Sequence, residues 1–261
     1  MDLITNAGYA LRAVSSVFKL GARAIRGDKT AWDALADMSR AADPNSIPSM
    51  SPWDNSMAET RFRPPMLKSS ISLYEAMVLG VLVKKLQPNA IFEIGTGDGY
   101  SALIMAENSP TNVKILTLDL LDSNVGNHAR IDKEAAEETH AAGVGRLVMN
   151  NPKVELLAGD STQFDFTPFE NSIDLVFIDG AHDKNTVQRD TESAFKLLRK
   201  GGTIIWHDTD AVHNGVFSVV KALAGKLPIK SIQSTRFAVL KNVDANTHAH
   251  IKKLASHVLG S

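Results

Sequence analysis

The sequence contains no cysteine. A disulfide framework, a thiolate nucleophile and a Cys-ligated zinc or iron–sulfur centre are therefore excluded. The same absence agrees with a reducing compartment, and a cytoplasmic location is the expectation. No apolar run reaches the roughly 18 residues that a membrane span needs. Charge of one sign is missing too. The 28 basic and 29 acidic side chains leave a formal net charge of −1, so no global field points to nucleic acid or to an anionic membrane. What is present is a chain of 261 residues, 44% apolar and 22% charged. That balance is ordinary for a globular protein and supplies a core for one large domain, or one domain with an extension.

The first 70 residues read as a helical extension and a loop. Leu11, Val14, Phe18, Ala22 and Ile25 fall at helical spacing, and Arg12, Lys19, Arg23 and Arg26 face a single acid, Asp2. Packing on the chain's own domain or on a partner subunit is favoured over a transit peptide or a membrane-surface helix, because the apolar face carries alanine and one aromatic residue. A homodimer through this stripe is the expected assembly. Helix signals cover about 8–26 and 30–42. "ADPNSIPSMSPWDNS" and "RFRPP" then read as a long loop, in which Trp53, Arg61 and Arg63 would suit a lid.

From residue 71 to 245 the pattern sharpens into a second unit, with 246–261 as a C-terminal helix or tail. Ser72 and Glu75 have capping-box spacing, and "EAMVLGVLVKKL" continues as a helix up to Pro88. Strand and helix runs then alternate: "AIFEIG", "YSALIMAEN", "VKILTLDL", "ARIDKEAAEETHAAG", "KVELLAGD", "IDLVFIDG", "NTVQRDTESAFKLLRKG", "GTIIWHD" and "GVFSVVKALAGKL". Near-continuous apolar strands separated by helices predict a doubly wound α/β fold with a mostly parallel sheet. "IKSIQST" and "RFAVLKNV" follow without a helix between them and should pair antiparallel at an edge. The C-terminal "HAHIKKLASHVL" reads as an exposed helix.

Ligands in such sheets bind at the carboxyl ends of the strands, and the first strand–helix turn is the usual cradle. Here it is "EIGTGDGYS". Gly95 and Gly97 permit a tight turn that a flat ligand can approach, and the helix from Tyr100 offers free N–H groups. A nicotinamide dinucleotide asks for G-x-G-x-x-G, whereas the third glycine here is Gly99, one position early. Glu93, near the strand end, would repel a pyrophosphate and attract a cation. S-adenosylmethionine, with its sulfonium, ammonium and carboxylate, fits an acid plus a helix start better. Asp119 ends the second strand, where an acid can take ribose hydroxyls, and Asp160 follows the third, near an adenine position. Each of these acids is also a plausible cap or turn residue.

Five segments in this order, "EIGTGDGYSAL", "LTLDL", "LLAGDS", "IDLVFIDGAH" and "LLRKGGTIIWHD", resemble the class I S-adenosylmethionine-dependent methyltransferases. "GYSAL" and "FIDGAH" resemble the small-molecule O-methyltransferase branch with the catechol, caffeoyl-CoA and antibiotic-tailoring enzymes. The resemblance covers about residues 70–241. It implies a Rossmann-like, seven-stranded sheet whose last strand is antiparallel. It also implies a cofactor site of Glu93, Gly95, Thr96, Gly97, Ser101, Asp119, Leu120, Asp160, Ser161 and Asp179.

Methyl transfer to a hydroxyl needs positioning and a proton acceptor. Asp179 and His182 in "IDGAHD" and His207 and Asp208 in "WHDTDAVH" are the candidates, with His213 read as a loop residue. In metal-using relatives an acid after the fourth strand and two residues after the fifth hold a divalent cation. The matching positions are Asp179, His207 and Asp208, for magnesium, manganese or a similar ion. The pair is often Asp-Asn or Glu-Asp in those relatives, so His-Asp departs from the pattern, as does Ala181 in place of a second acid. His182 stands where some relatives have a catalytic lysine, and a histidine there can take a proton. The leading expectation is thus O-methylation of a small-molecule hydroxyl, with or without a metal. A nicotinamide-dependent oxidoreductase and a non-catalytic cofactor-binding subunit are the alternatives.

Overall fold

A computed structural model of the chain describes residues 49–50, 61, 65, 67, 70–120, 137–241 and 244–257. The expected helices at 8–26 and 30–42, Trp53 and Arg63, and with them the expected dimer contact, lie outside these residues. Arg61 is described. Its N–H donates to Asn108 Oδ1 at 2.8 Å, and Asn108 Nδ2 donates to its carbonyl at 2.6 Å.

Ser49–Met50 form a two-residue strand, β1. The capping box at Ser72 is complete: Ser72 Oγ accepts from Glu75 N at 3.2 Å, and the Glu75 carboxylate accepts from Ser72 N at 2.9 Å. Helix α1 (Leu73–Leu86) follows and ends at Gln87, whose φ of 48° turns the chain ahead of Pro88. The alternation then runs β2 (Ala90–Ile94), α2 (Tyr100–Asn108), β3 (Lys114–Asp119), β4 (Val154–Ala158), a 3₁₀ turn (Thr167–Phe169), β5 (Ile173–Ile178), α3 (Lys184–Leu197), β6 (Leu198–Trp206), α4 (Asn214–Ala224), β7 (Lys230–Ile232), β8 (Ala238–Leu240) and α5 (Ala245–His257). The helix expected from Ala129 is described only in part. Residues 137–142 are helical, and 121–136 lie outside the description.

The sheet order is β1-β7-β8-β6-β5-β2-β3-β4. The seven expected strands are present, and β1 extends the edge beside β7. Strand β8 is antiparallel to both β6 and β7, and every other pairing is parallel. From β2 the chain winds outward through β3 and β4, then returns to β5 on the other side of β2. That reversal opens a crevice at the carboxyl ends of β2 and β5.

Alternate strand residues feed two cores, as the period of two requires. Ile91, Ile115, Leu175, Phe177 and Ile205 pack with α1 and α2. Phe92, Ile94, Leu116, Val176, Ile178 and Ile204 pack with α3, α4 and Ile251 of α5. The C-terminal helix therefore differs from the exposed helix expected. Ile251 is fully buried and His248 Nε2 lies 3.0 Å from the Leu198 carbonyl. Helix α3 is also shorter than its pattern. Leu197 and Leu198 are both buried, so the periodicity runs on, but Leu198 is extended and pairs with Ile173 of β5. Among the described residues no helix is long and apolar enough to cross a membrane.

Candidate active site

The turn after β2 is shaped by its neighbour β5 before any ligand is considered. Gly95 has φ 95°, and a Cβ there would sit 2.1 Å from the Asp179 carbonyl oxygen. Asp179 N donates to Ile94 O at 2.8 Å, so the two strand ends are bonded at this point. The first glycine is thus demanded by backbone packing. Asp119, at the end of β3, organises the rest of the turn. Its Oδ2 accepts from Thr96 N and Gly97 N, each at 2.9 Å, and its Oδ1 from Leu120 N at 2.7 Å. Burial raises the Asp119 pKa, and these three N–H groups oppose that rise.

Glu93 is not on the cavity wall, contrary to its expected place beside a cofactor. It is fully buried within β2. Ser101 Oγ donates to one carboxyl oxygen at 2.6 Å and Thr117 Oγ1 to the other at 2.5 Å. Burial pushes its pKa up to about 8, against those hydroxyls and with a further rise from Asp179 and Asp119. Ser101 stands between Glu93 and the cavity, so Glu93 acts by holding Ser101.

A cavity of about 340 Å³ opens at the crevice between β2 and β5. Its wall carries Gly95, Thr96, Gly97, Ser101, Asp119, Leu120, Asp160, Ser161, Asp179, His182 and Asp208, all expected from the sequence. Asp98 also lines it and was missed. Arg146 Nη2 donates to Asp98 at 3.0 Å, Gly145 N to Gly97 O at 2.9 Å and Leu147 N to Asp98 O at 3.0 Å, so the segment before β4 straps the glycine turn. Asp160 takes the capping alternative as well: it accepts from Thr162 N and Oγ1, both at 2.8 Å. Five carboxylates line the cavity (Asp98, Asp119, Asp160, Asp179 and Asp208), and among the described residues no lysine or arginine does. That wall suits a cationic ligand and opposes a pyrophosphate.

Of the acids and imidazoles beyond β5 and β6, Asp179, His182 and Asp208 line this cavity. His182 Nε2 lies 2.8 Å from Asp208 Oδ2, and His207 Nδ1 lies 2.7 Å from Asp179 Oδ1. His213 is more than a loop residue: its ring is 4.6 Å from that of His182, and its Nδ1 lies 2.8 Å from Asp210 Oδ1. Asp208 sits in the left-handed region, at φ 55°, an uncommon conformation for a residue with a side chain. Two partners were not legible. Glu75, the capping-box acid, is buried behind His207, with its Oε2 at 3.5 Å from His207 Nε2. Arg236 donates through Nε and Nη2 to Glu75, at 3.1 and 2.9 Å, and through Nη1 to Asp208. Burial works against charge on Glu75 and Asp208, yet His207 and Arg236 hold both carboxyls well below the usual range. Burial likewise opposes charge on His207, but Asp179, Asp208 and Glu75 outweigh it and raise its pKa well above the ordinary histidine value.

Asp179, His207 and Asp208 bring a donor atom each within 4.8 Å of one another, the grouping expected of a metal centre. The donor set does not fit a divalent ion. His207 is absent from the cavity wall, with Nδ1 taken by Asp179 at 2.7 Å and Nε2 turned away towards Glu75, 3.5 Å off. Asp208 already meets a guanidinium on Oδ1 and His182 on Oδ2.

Residues 92–209 match a family described as a methyltransferase domain. A stretch of 130 residues is 31% identical to a protein of Mycobacterium sp. (strain JLS) named as a proposed O-methyltransferase, covering 50% of this chain and 53% of that protein. A protein of the same name from Mycolicibacterium vanbaalenii is 33% identical over 130 residues, covering 50% and 51%. The chain thus spans about half the length of the curated relatives it matches. Among solved structures, the O-methyltransferase TomG from Streptomyces achromogenes is 22% identical, covering 67% of this chain and 82% of that one at a TM-score of 0.46. The segment similar to that methyltransferase-domain family holds the glycine turn, the five cavity carboxylates and His182.

Proposed function

We propose that the chain methylates a hydroxyl oxygen of a small molecule, with S-adenosylmethionine as donor and His182 as proton acceptor. One observation carries this reading. The His182–Asp208 pair, at 2.8 Å, lies on the wall of the same acid-lined cavity as the glycine turn and Asp119. When bound, the cofactor supplies a methyl group on a positively charged sulfur, and attack by the acceptor oxygen leaves a neutral thioether and one proton to remove. Donation from His182 Nε2–H to Asp208 fixes the tautomer that carries a lone pair on Nδ1. His182 then takes the hydroxyl proton, and Asp208 stabilises the imidazolium that forms. Asp119, with one N–H on Oδ1, keeps acceptor capacity for a ribose hydroxyl. Asp179 and the other wall acids favour a cation over a pyrophosphate, which counts against the nicotinamide alternative.

Calorimetry with S-adenosylmethionine and with NAD separates the two cofactor classes, and binding of the former alone is expected. The His182→Ala variant should keep cofactor affinity and lose turnover by about a hundredfold or more across a panel of small phenols and sugars. Unchanged turnover would remove His182 from the chemistry, and a tight NAD isotherm would remove the methyl donor. A wild-type chain that binds the cofactor and methylates nothing in the panel favours the non-catalytic subunit.

A further inference from the structure

Arg236 holds the turn after β6 from both of its own ends. Its carbonyl accepts from Thr209 N at 3.0 Å and from Thr209 Oγ1 at 2.9 Å. Its guanidinium reaches back over the same turn to Asp208, while two other nitrogens grip Glu75 on α1 as a fork. Its own N–H also donates to Glu75, at 2.9 Å. His207 completes the cluster, with Nδ1 against Asp179 and Asp208 (2.7 and 3.4 Å) and Nε2 against Glu75. Three carboxylates, Glu75, Asp179 and Asp208, thus close on the Arg236 guanidinium and the His207 ring.

We propose that Arg236 is the site's built-in cation, standing where a divalent ion would compensate the same acids, and that it positions Asp208 for His182. The part concerning His182 rests on the methyl-transfer reading; the part concerning cations does not. A metal ion would have to sit roughly 2.0–2.6 Å from the Asp208 oxygens, against a guanidinium that is already bonded there. Arginine, always charged and with a rigid fork, does the same compensation without needing an ion from solution. The left-handed Asp208 is then explained: the Arg236 carbonyl and guanidinium clamp the turn that presents its Oδ2 to His182.

The test is a titration of the full chain with Mn²⁺, followed by electron paramagnetic resonance and calorimetry, for wild type, Arg236→Met and Arg236→Lys. Wild type and Arg236→Lys should show no uptake at this cluster. Arg236→Met, which leaves Glu75, Asp179 and Asp208 without the guanidinium, should bind the ion at least about tenfold more tightly than wild type. Uptake of one Mn²⁺ per chain by wild type at this cluster overturns the proposal, and that measurement needs no variant to fold. The positioning role is read separately from the His182 ring-nitrogen shifts. The Nε2–H tautomer should dominate in wild type and lose its dominance in Arg236→Met, and an unchanged tautomer population would remove that role. Cofactor affinity, measured in parallel, reports on the methyl-transfer reading independently of either result.

Discussion

A carboxyl with no water around it, such as that of Glu93, stays neutral unless a cation reaches it. Burial pushes its pKa up to about 8, and Asp179 and Asp119 add to the rise despite the Ser101 and Thr117 hydroxyls. In the unfolded chain the same group ionises near the ordinary glutamate value, about 4.3. Between those values the folded state holds a proton that the unfolded state has lost, so stability falls as pH rises across that window. The slope is on the order of 1 kcal/mol per pH unit for one proton. Asp190 is raised to about 7 in the same sense by its own burial, so the comparison must be with a variant that alters Glu93 alone. Glu93→Gln keeps the shape and cannot ionise. Denaturant melts from pH 5 to 8 should show its stability gaining on wild type as pH rises; parallel curves would show that Glu93 is already charged. Asp119, Asp160, Asp179, His182 and Asp208 were legible in the sequence because each sits at a strand end, where period and order place it. Arg236 was not, because its partner Glu75 lies 161 residues away and only the closed sheet brings them together.

Elements were legible where a local signal ended them. The capping box at Ser72 and the glycine before Tyr100 set α1 and α2 at their expected starts, and the pair of strands without an intervening helix gave the antiparallel edge. The α3–β6 boundary was not legible, because Leu197 and Leu198 continue the apolar period and only pairing with Ile173 stops the helix. The start of α4 shows how an element sets the chemistry. A Cβ on Gly215 would stand 2.1 Å from the His182 carbonyl oxygen and 2.8 Å from Lys184 N. Backbone cannot give way as a side-chain tip does, so Gly215→Ala must push α4 off the loop that carries His182. The expected cost is roughly 1–3 kcal/mol of stability, with turnover falling well beyond any change in cofactor affinity. Melting and steady-state kinetics on the same preparation check it. Wild-type turnover in a folded Gly215→Ala chain would mean that the α4 contact does not set the position of His182.

For the molecule as a whole, charge is nearly balanced, at a formal −1, yet its distribution is not. Sheet order gathers the ends of β2, β3, β4, β5 and β6, and the acids that close those strands converge on one cavity while the compensating Arg146 and Arg236 stand behind its wall. Neither length nor composition reveals that asymmetry, since it arises only when separate strand ends meet. Its consequence is a selective response to salt. S-adenosylmethionine carries one net positive charge near neutral pH, and its demethylated product S-adenosylhomocysteine carries none. Raising ionic strength from ~0.1 M to ~1 M shortens the screening distance from ~10 Å to ~3 Å. Affinity for the sulfonium form should therefore fall several-fold across that range, while affinity for the thioether stays nearly level, because the two share every contact except the charge. Calorimetric titrations of both ligands at matched pH give the two slopes. Equal slopes would mean that the wall acids are neutralised before the ligand arrives, and the field of the cavity would then play no part in choosing it.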